Sequence, residues 1–156
     1  LKGTFHINSG RLSDEGMITR EELKTLFSIH EVSHHGYNHQ GLSHLSNIDY
    51  IYEIGEDRRT LEQVSERLVM DLAYPFGNYN VDDIPIIRHL GVEYASTVKD
   101  TQEFDIPENF IIWHPSTHMF VNANFMGNSP EENQKEFEKF DNLTEAFLKE
   151  KDLSLY

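Results

Sequence analysis

The stretch EVSHHGYNHQGLSHLSNIDYIYEIGEDRRTLEQVSERLVMDLAYPFG, residues 31–77, decides the fold. It opens on the β-like run EVSH. It then enters a segment in which Ile51, Ile54, Arg58, Leu61 and Val64 recur at helical spacing, the mark of a long amphipathic helix. It closes on LVMDLAYPFG, a buried-strand candidate halted by Pro75 and Gly77. Strand, helix and strand in that order form a crossover unit whose strands run parallel.

The same alternation continues on both sides. Upstream, GTFHI (residues 3–7) is a short strand ended by NSG, and ITREELKTLF carries a helix start with Thr19 as N-cap, Glu22 closing a capping box and Ile18 facing Leu23 as a staple. Downstream, DDIPIIRHLG predicts a helix capped by Gly91, followed by the strand VEYAST. ENFIIWH is a further strand candidate. SPEENQKEFEKF starts a helix with Ser129 as N-cap, Pro130 at the first helical position and Glu132 three residues past the cap; LTEAFLKEK extends or restarts it, and LSLY opens one more strand. The expected fold class is α/β, a mainly parallel sheet that is open or barrel-like, in a single domain over residues 1–156. With strands placed at the first and last residues, the sequence reads as the middle of a longer barrel, incomplete at both ends.

Thirteen Lys and Arg against twenty-seven Asp and Glu give a net charge of −14 with neutral histidine. So acidic a surface repels phosphate backbones and anionic lipid, which argues against nucleic acid and membrane partners. With no cysteine, disulfides and thiolate metal sites are excluded, and a metal would need His, carboxylate or carbonyl ligands, which favours zinc or a neighbouring divalent transition ion. No apolar run approaches the roughly 20 residues of a membrane span, and no signal peptide is visible. The compartment and the oligomeric state stay open.

Five of the nine histidines fall within residues 30–44. His30 and His34 flank a strand, which would set them roughly 13 Å apart at about 3.3 Å per residue, too far for one ion. His35 and His39 follow the strand, where parallel-sheet enzymes keep their chemistry, and either one turn of helix or a loop turning back at Gly36 can aim both rings at one point. Spacing alone also admits a chance pair in a His-rich loop. His30, His34 and His44 read as structural or solvent-exposed.

HEVSHHGYNHQGLSHL resembles the second motif of the polysaccharide deacetylases, carbohydrate esterase family four, which has the general form G-H-E-[IV]-x-x-H-[ST]-x-[ST]-H-x-x-L. LKGTFHINSG is similar to the strand after the family's first motif, LAYPFGNYN to its third motif R-x-P-[YF]-G, and GVEYAST to the strand after the next helix. The resemblance covers the first hundred residues or so well and the rest loosely. It implies a distorted (β/α) barrel that removes N- or O-linked acetyl groups from a carbohydrate by attack of metal-activated water on the acetyl carbonyl. It also implies His35 and His39 as metal ligands and Phe76 as the residue whose backbone N–H stabilises the oxyanion. The ion would be zinc first, with cobalt, nickel or manganese as alternatives.

Four departures accompany the resemblance. The first motif, with its base Asp and third ligand, would precede Leu1, and the last motif, with its acid His, would follow Tyr156. Gly36 stands where the pattern has Ser or Thr, and Ala73 where it has Arg. Further candidates come from the residues themselves. His118, after a strand, is a catalytic or substrate-contact candidate, and His114 a lesser one. Trp113 is either a sugar-facing wall or a core residue, and Tyr74 either a substrate contact or a packing residue. Asn8 lines the rim of the site or merely turns the chain. His6 reads as a satisfied core histidine, and Asp71 as a carboxylate paired locally with Arg58 or Arg88, or else directed at the site. Asn142 lies in a glycosylation sequon inside a predicted helix. Two other readings compete: a non-catalytic carbohydrate-binding relative of the same fold, and a His-rich metal-binding protein that takes several ions.

Overall fold

The computed structural model describes residues 2–118 and 129–149. They fall into two compact units: one runs to Val98 and adds Pro107–Trp113, and the other combines Lys99–Ile106 with the residues from His114 onward.

The first unit is a four-stranded parallel sheet of β1 (Thr4–Ile7), β2 (Glu31–His34), β3 (Asp71–Ala73) and β4 (Tyr94–Ser96), in the order β1-β2-β3-β4. Each crossover carries a helix: α1 (Arg20–Leu26), α2 (Asn47–Ser65) and α3 (Ile84–His89). Sequential order means that every crossover steps the same way. That is the winding of a (β/α) barrel, whereas a doubly wound sheet reverses direction partway. The expected α/β fold class is the one observed.

The predicted helix starts form as read. Thr19 accepts from Glu22 N–H at 3.1 Å while the Glu22 carboxylate takes Thr19 N–H at 2.8 Å, and Ile18 packs with Leu23 in the core. Gly91 ends α3 with φ of 79°, a left-handed conformation in which the Arg58 guanidinium lies over the site a Cβ would fill.

Register divides the sheet into two chemically opposite faces. Ile7, His34, Leu72 and Ala95 align across the strands on the side covered by helices. Leu72 and Ala95 join Leu42, Tyr50, Ile54 and Ile87 in one core cluster, while Val32 joins Leu23, Leu61 and Val69 in a second. On the opposite face His6 pairs in register with Ser33, and Asp71 with Tyr94.

Three sequence readings are corrected. The buried stripe of α2 is Tyr50, Glu53, Ile54, Asp57, Thr60 and Leu61, so Ile51 is 44% exposed and two carboxylates lie inward. The helix is turned from its hydrophobic stripe because those carboxylates accept from loop N–H groups. ENFIIWH is not a strand: Phe110–Ile112 is a 3-10 turn drawn tight by the Asn109 side chain, which accepts from Ile111 N–H at 3.1 Å, and Trp113 alone bridges to Ser96. Asp71 pairs with neither arginine. Arg58 bonds Glu62 at 2.9 Å, Arg88 bonds Asn109 at 3.3 Å, and Asp71 faces His6 at 3.8 Å.

In the second unit α4 (Pro130–Lys149) begins with the capping box expected for Ser129 and Glu132, with contacts of 2.7 and 3.2 Å, and runs on without the restart that LTEAFLKEK allowed. Asn142 is inside it. Phe147 packs edge-on against Phe104 with ring centroids 4.8 Å apart. The LSLY strand lies outside the described residues.

Candidate active site

His35 and His39 leave the carboxyl end of β2 on a loop that turns at Gly36, whose φ of 77° is open to glycine and costly for other residues. A Cβ at Gly36 would stand 3.2 Å from Pro75 and 3.3 Å from the Glu53 carboxylate, so the hydroxyl residue of the family pattern does not suit this loop. His39 also takes a positive φ, 61°, a region in which histidine is enriched among non-glycine residues.

This backbone brings the two imidazoles together. Their Nε2 atoms are 3.0 Å apart, and the ring centroids 4.6 Å. His35 Nδ1 lies 2.6 Å from the Ala73 carbonyl oxygen. Since a carbonyl only accepts, Nδ1 carries the proton and Nε2 of the neutral ring presents a lone pair toward His39. Two nitrogens aimed at each other at this distance repel unless a proton or a cation lies between them. Burial, opposed by the Ala73 contact and assisted by the neighbouring His39, lowers the His35 pKa and keeps the ring in the neutral form a metal needs. The donor set therefore fits a divalent ion with two imidazole ligands. Among the described residues no cluster of three or more metal-ligating side chains occurs.

The second wall is the turn after β3. Phe76 sits at φ 59° between Pro75 and Gly77, and its ring lies against that of His39 with centroids 4.6 Å apart. Its backbone N–H makes no hydrogen bond to the described residues, although the neighbouring N–H groups of Gly77 and Asn78 are spent on Tyr74 and Pro75 carbonyls at 2.8 and 3.2 Å. A donor without a partner among the described residues, carried by a strained non-glycine residue whose ring touches an imidazole, is a common feature of functional sites.

The other candidates make contacts of different kinds. Tyr74 is in the core at 2% exposure, and its hydroxyl donates to the Ile111 carbonyl at 3.0 Å; strand alternation puts it on the helix side, away from the residues flanking it. Of its two readings, packing is the one realised. Asn8 donates from Nδ2 to the carbonyls of His35 and Gly36, both at 2.7 Å, and so holds the loop that carries His35 and His39. Trp113 is 41% exposed, with Phe110 edge-on at 5.7 Å, and the register aligns it with Ser96 and through Ser96 with Ala73. His118 is in the second unit, its Nδ1 on the Asp100 carboxylate, which also receives Lys139 at 3.2 Å. Burial alone would raise the Asp100 pKa, but the bonds from His118 and Lys139 outweigh it and hold the carboxyl below its ordinary value.

His6, on the inner face of the sheet, has its ring 6.3 Å from that of His35, and burial and the neighbouring His35 push its pKa down to about 4. Burial pushes Asp71 up to about 6. Sequence reasoning missed Glu53 and Asp57. Glu53 is 1% exposed and receives Asn38 N–H and Asn38 Nδ2 at 2.9 Å each and Gln40 Nε2 at 3.2 Å. Asp57 is fully buried and takes Ser9 N–H at 2.7 Å and His35 N–H at 3.0 Å. Two carboxylates four residues apart on the apolar side of a helix were the available signal.

Comparison with known proteins adds a family match and several fold matches. The family model described as polysaccharide deacetylase matches residues 1–95. No curated protein matches. Among solved structures, a polysaccharide deacetylase from Bacillus cereus is similar at 21% identity with a TM-score of 0.64, covering 72% of this chain and 36% of its own. The Streptococcus pyogenes deacetylase PplD, solved in complex with acetate, is similar at 18% identity with a TM-score of 0.66, covering 73% of this chain and 51% of its own. A de-N-acetylase from Aggregatibacter actinomycetemcomitans follows at 12% identity and a TM-score of 0.59, covering 78% of this chain and 64% of its own. This chain therefore spans about a third to two thirds of the length of these proteins.

Proposed function

We propose, on the premise that this chain belongs to the polysaccharide deacetylase family, that it is the part of a carbohydrate deacetylase that carries the imidazole ligands and the oxyanion donor. The reaction is hydrolysis of an acetyl group on a sugar. The bond from the acetyl carbon to the sugar nitrogen or oxygen breaks, water supplies the new oxygen, and acetate leaves together with a free amine or hydroxyl. The observation that carries this reading is the 3.0 Å convergence of the His35 and His39 Nε2 atoms, with the ring of Phe76 against His39 and its N–H without a partner among the described residues.

His35 and His39 would hold a divalent ion, with zinc first among the candidates for an all-imidazole pair. Such an ion supplies Lewis acidity toward a carbonyl and makes water more acidic. The chain's own residues do the rest. Ala73 fixes the His35 tautomer through its carbonyl, and the Phe76 N–H stands where negative charge develops on the acetyl oxygen, a contribution on the order of 3 kcal/mol for one such donor. Trp113, aromatic and partly exposed, offers a flat surface for the CH face of a sugar ring. A net charge of −14 suits a neutral polysaccharide, and suits it better once deacetylation frees a cationic amine.

The test is acetate release from N-acetylglucosamine oligomers and from acetylated xylan by the full-length protein, first stripped with a chelator and then given back zinc. Activity should vanish on stripping, return with about one equivalent of zinc and stay absent in His35→Ala. Uptake of several ions that is spread over many histidines and indifferent to His35 would replace this reading with the metal-buffering one.

A further inference from the structure

Every polar group of the ligand loop that bonds toward α2 ends on one of two side chains, Glu53 or Asp57, or on the backbone of Glu53. His35 N–H goes to Asp57, and Tyr37 N–H to the Glu53 carbonyl at 2.9 Å; Asn38 N–H, the Asn38 amide and the Gln40 amide go to the Glu53 carboxylate. Asp57 also takes Ser9 N–H, tying the exits of β1 and β2 to a single buried carboxylate. Neither acid has an ion-pair partner among the described residues. A buried carboxylate is tolerated only when its oxygens are satisfied. Among the described residues the donors are loop and strand-end groups, so burying Glu53 and Asp57 requires the loop to keep the conformation that supplies them.

The coupling runs to the imidazoles through few bonds. Asp57 fixes the peptide N–H of His35 itself, and Glu53 fixes the peptide one residue before His39. Between these two anchors the chain makes the positive-φ turns at Gly36 and His39 that aim both rings at one point. On the basis of the metal-site reading above, we infer that Glu53 and Asp57 are positioning residues for that site: they set the separation and mutual aim of the His35 and His39 nitrogens, and thereby the affinity for the ion.

Glu53→Gln tests this with little change of shape. One oxygen becomes an NH2 group. Facing the Asn38 N–H it makes that contact repulsive, facing the Asn38 and Gln40 side chains it requires both amides to turn their oxygens inward, and in either case the charge that draws the loop in is gone. Metal affinity should fall roughly 10- to 100-fold, the usual effect of disturbing the shell behind a metal ligand. Leu61→Ala, in the other core cluster, serves as a control for reduced stability: it should lower the Tm and leave zinc affinity unchanged. Zinc binding to the stripped full-length protein is read by calorimetry, and crystal structures of the unliganded wild type and Glu53→Gln give the Nε2–Nε2 separation directly. Zinc affinity in Glu53→Gln equal to that of wild type, or an unchanged separation of the rings, overturns the inference. Should the wild type bind no zinc, the functional reading falls, and the crystallographic separation alone decides whether Glu53 positions the rings.

Discussion

The two walls of the candidate site are built on opposite plans. The loop after β2 that carries His35 and His39 is held from behind: Asn8, Glu53 and Asp57 take up its carbonyl and N–H groups, and the side chains that face the site are imidazoles. The turn after β3 is held by its own backbone. Pro75 and Gly77 fix its course, its hydrogen bonds run within the turn, and it carries a peptide N–H with no partner among the described residues. One wall offers side-chain chemistry on a braced backbone; the other offers backbone chemistry on a strained one. Substitution should therefore act differently on the two. On the first wall the side chain is the function, while on the second the side chain is replaceable and the backbone conformation is not.

The largest expected effect is on the first wall. His39→Ala removes a ligand and leaves its braces intact, so acetate release should drop at least about 1,000-fold, as for removal of several kcal/mol of electrophilic stabilisation. Stability measured in urea should change little. Residual activity within tenfold of wild type would make the two walls equivalent and end the comparison. Next in size is Gly77→Ala. Its φ of 70° and a Cβ placed 2.3 Å from Val98 Cγ2 combine left-handed strain with overpacking, together about 2–4 kcal/mol of stability. Gly36→Ala, whose nearest contact is 3.2 Å, should cost about half as much in denaturant melts and also weaken zinc binding.

The sheet's two faces explain how much of this was legible in the sequence. Period-two and period-3.6 patterns are statements about apolar burial. The helix-covered face, with Val32, Leu72 and Ala95, and the capping boxes at Thr19 and Ser129 were accordingly readable. The convergence of His35 and His39 was readable because both imidazoles sit on one short loop. Glu53 and Asp57 were not, because their partners come from the separate segments 8–9 and 35–40, and charge on a helix ordinarily means solvent. Tyr74 was ambiguous for a related reason. A tyrosine beside the turn after β3 suits both roles, and only the carbonyl of Ile111, 37 residues away, decides. ENFIIWH had strand-like composition, but one local bond from Asn109 outweighed it.

His34 yields a smaller effect that sharpens the contrast between the faces. It is fully buried on the helix side, with neither ring nitrogen hydrogen-bonded to the described residues, and burial together with Arg58 lowers its pKa to about 3. Because the folded value lies below the unfolded one of 6.5, the unfolded chain binds the extra proton. Stability from this residue is therefore intact above pH 6.5 and is lost as the pH falls toward 3. The raised carboxyls of Asp57 and Asp71, both near 6, act in the opposite sense between about pH 6 and 4, so the wild-type curve should be flattened there. His34→Leu isolates the imidazole: relative to wild type its stability should improve by up to about 1.4 kcal/mol for each pH unit below 6.5. Urea melts at pH 7 and pH 5 check this, and a pH-independent difference would mean that His34 has a partner in solution.

The smallest expected effect is the most discriminating for the second wall. Phe76→Ala deletes the ring that lies against His39 but keeps the peptide N–H, and alanine tolerates the positive φ no worse than phenylalanine does. If the backbone is the functional element, kcat should fall less than about tenfold, the share of a single pair of stacked rings. Phe76→Gly tests the backbone by a different route. It suits the left-handed conformation better in the folded state but frees the unfolded chain and loosens the turn, so the N–H is aimed less firmly while the ring is absent in both variants. Activity lower in the glycine variant than in the alanine variant, at equal zinc affinity, places the chemistry in the fixed N–H. The reverse order would place it in the turn's freedom to move, and the two walls would then differ in mobility rather than in which group does the work.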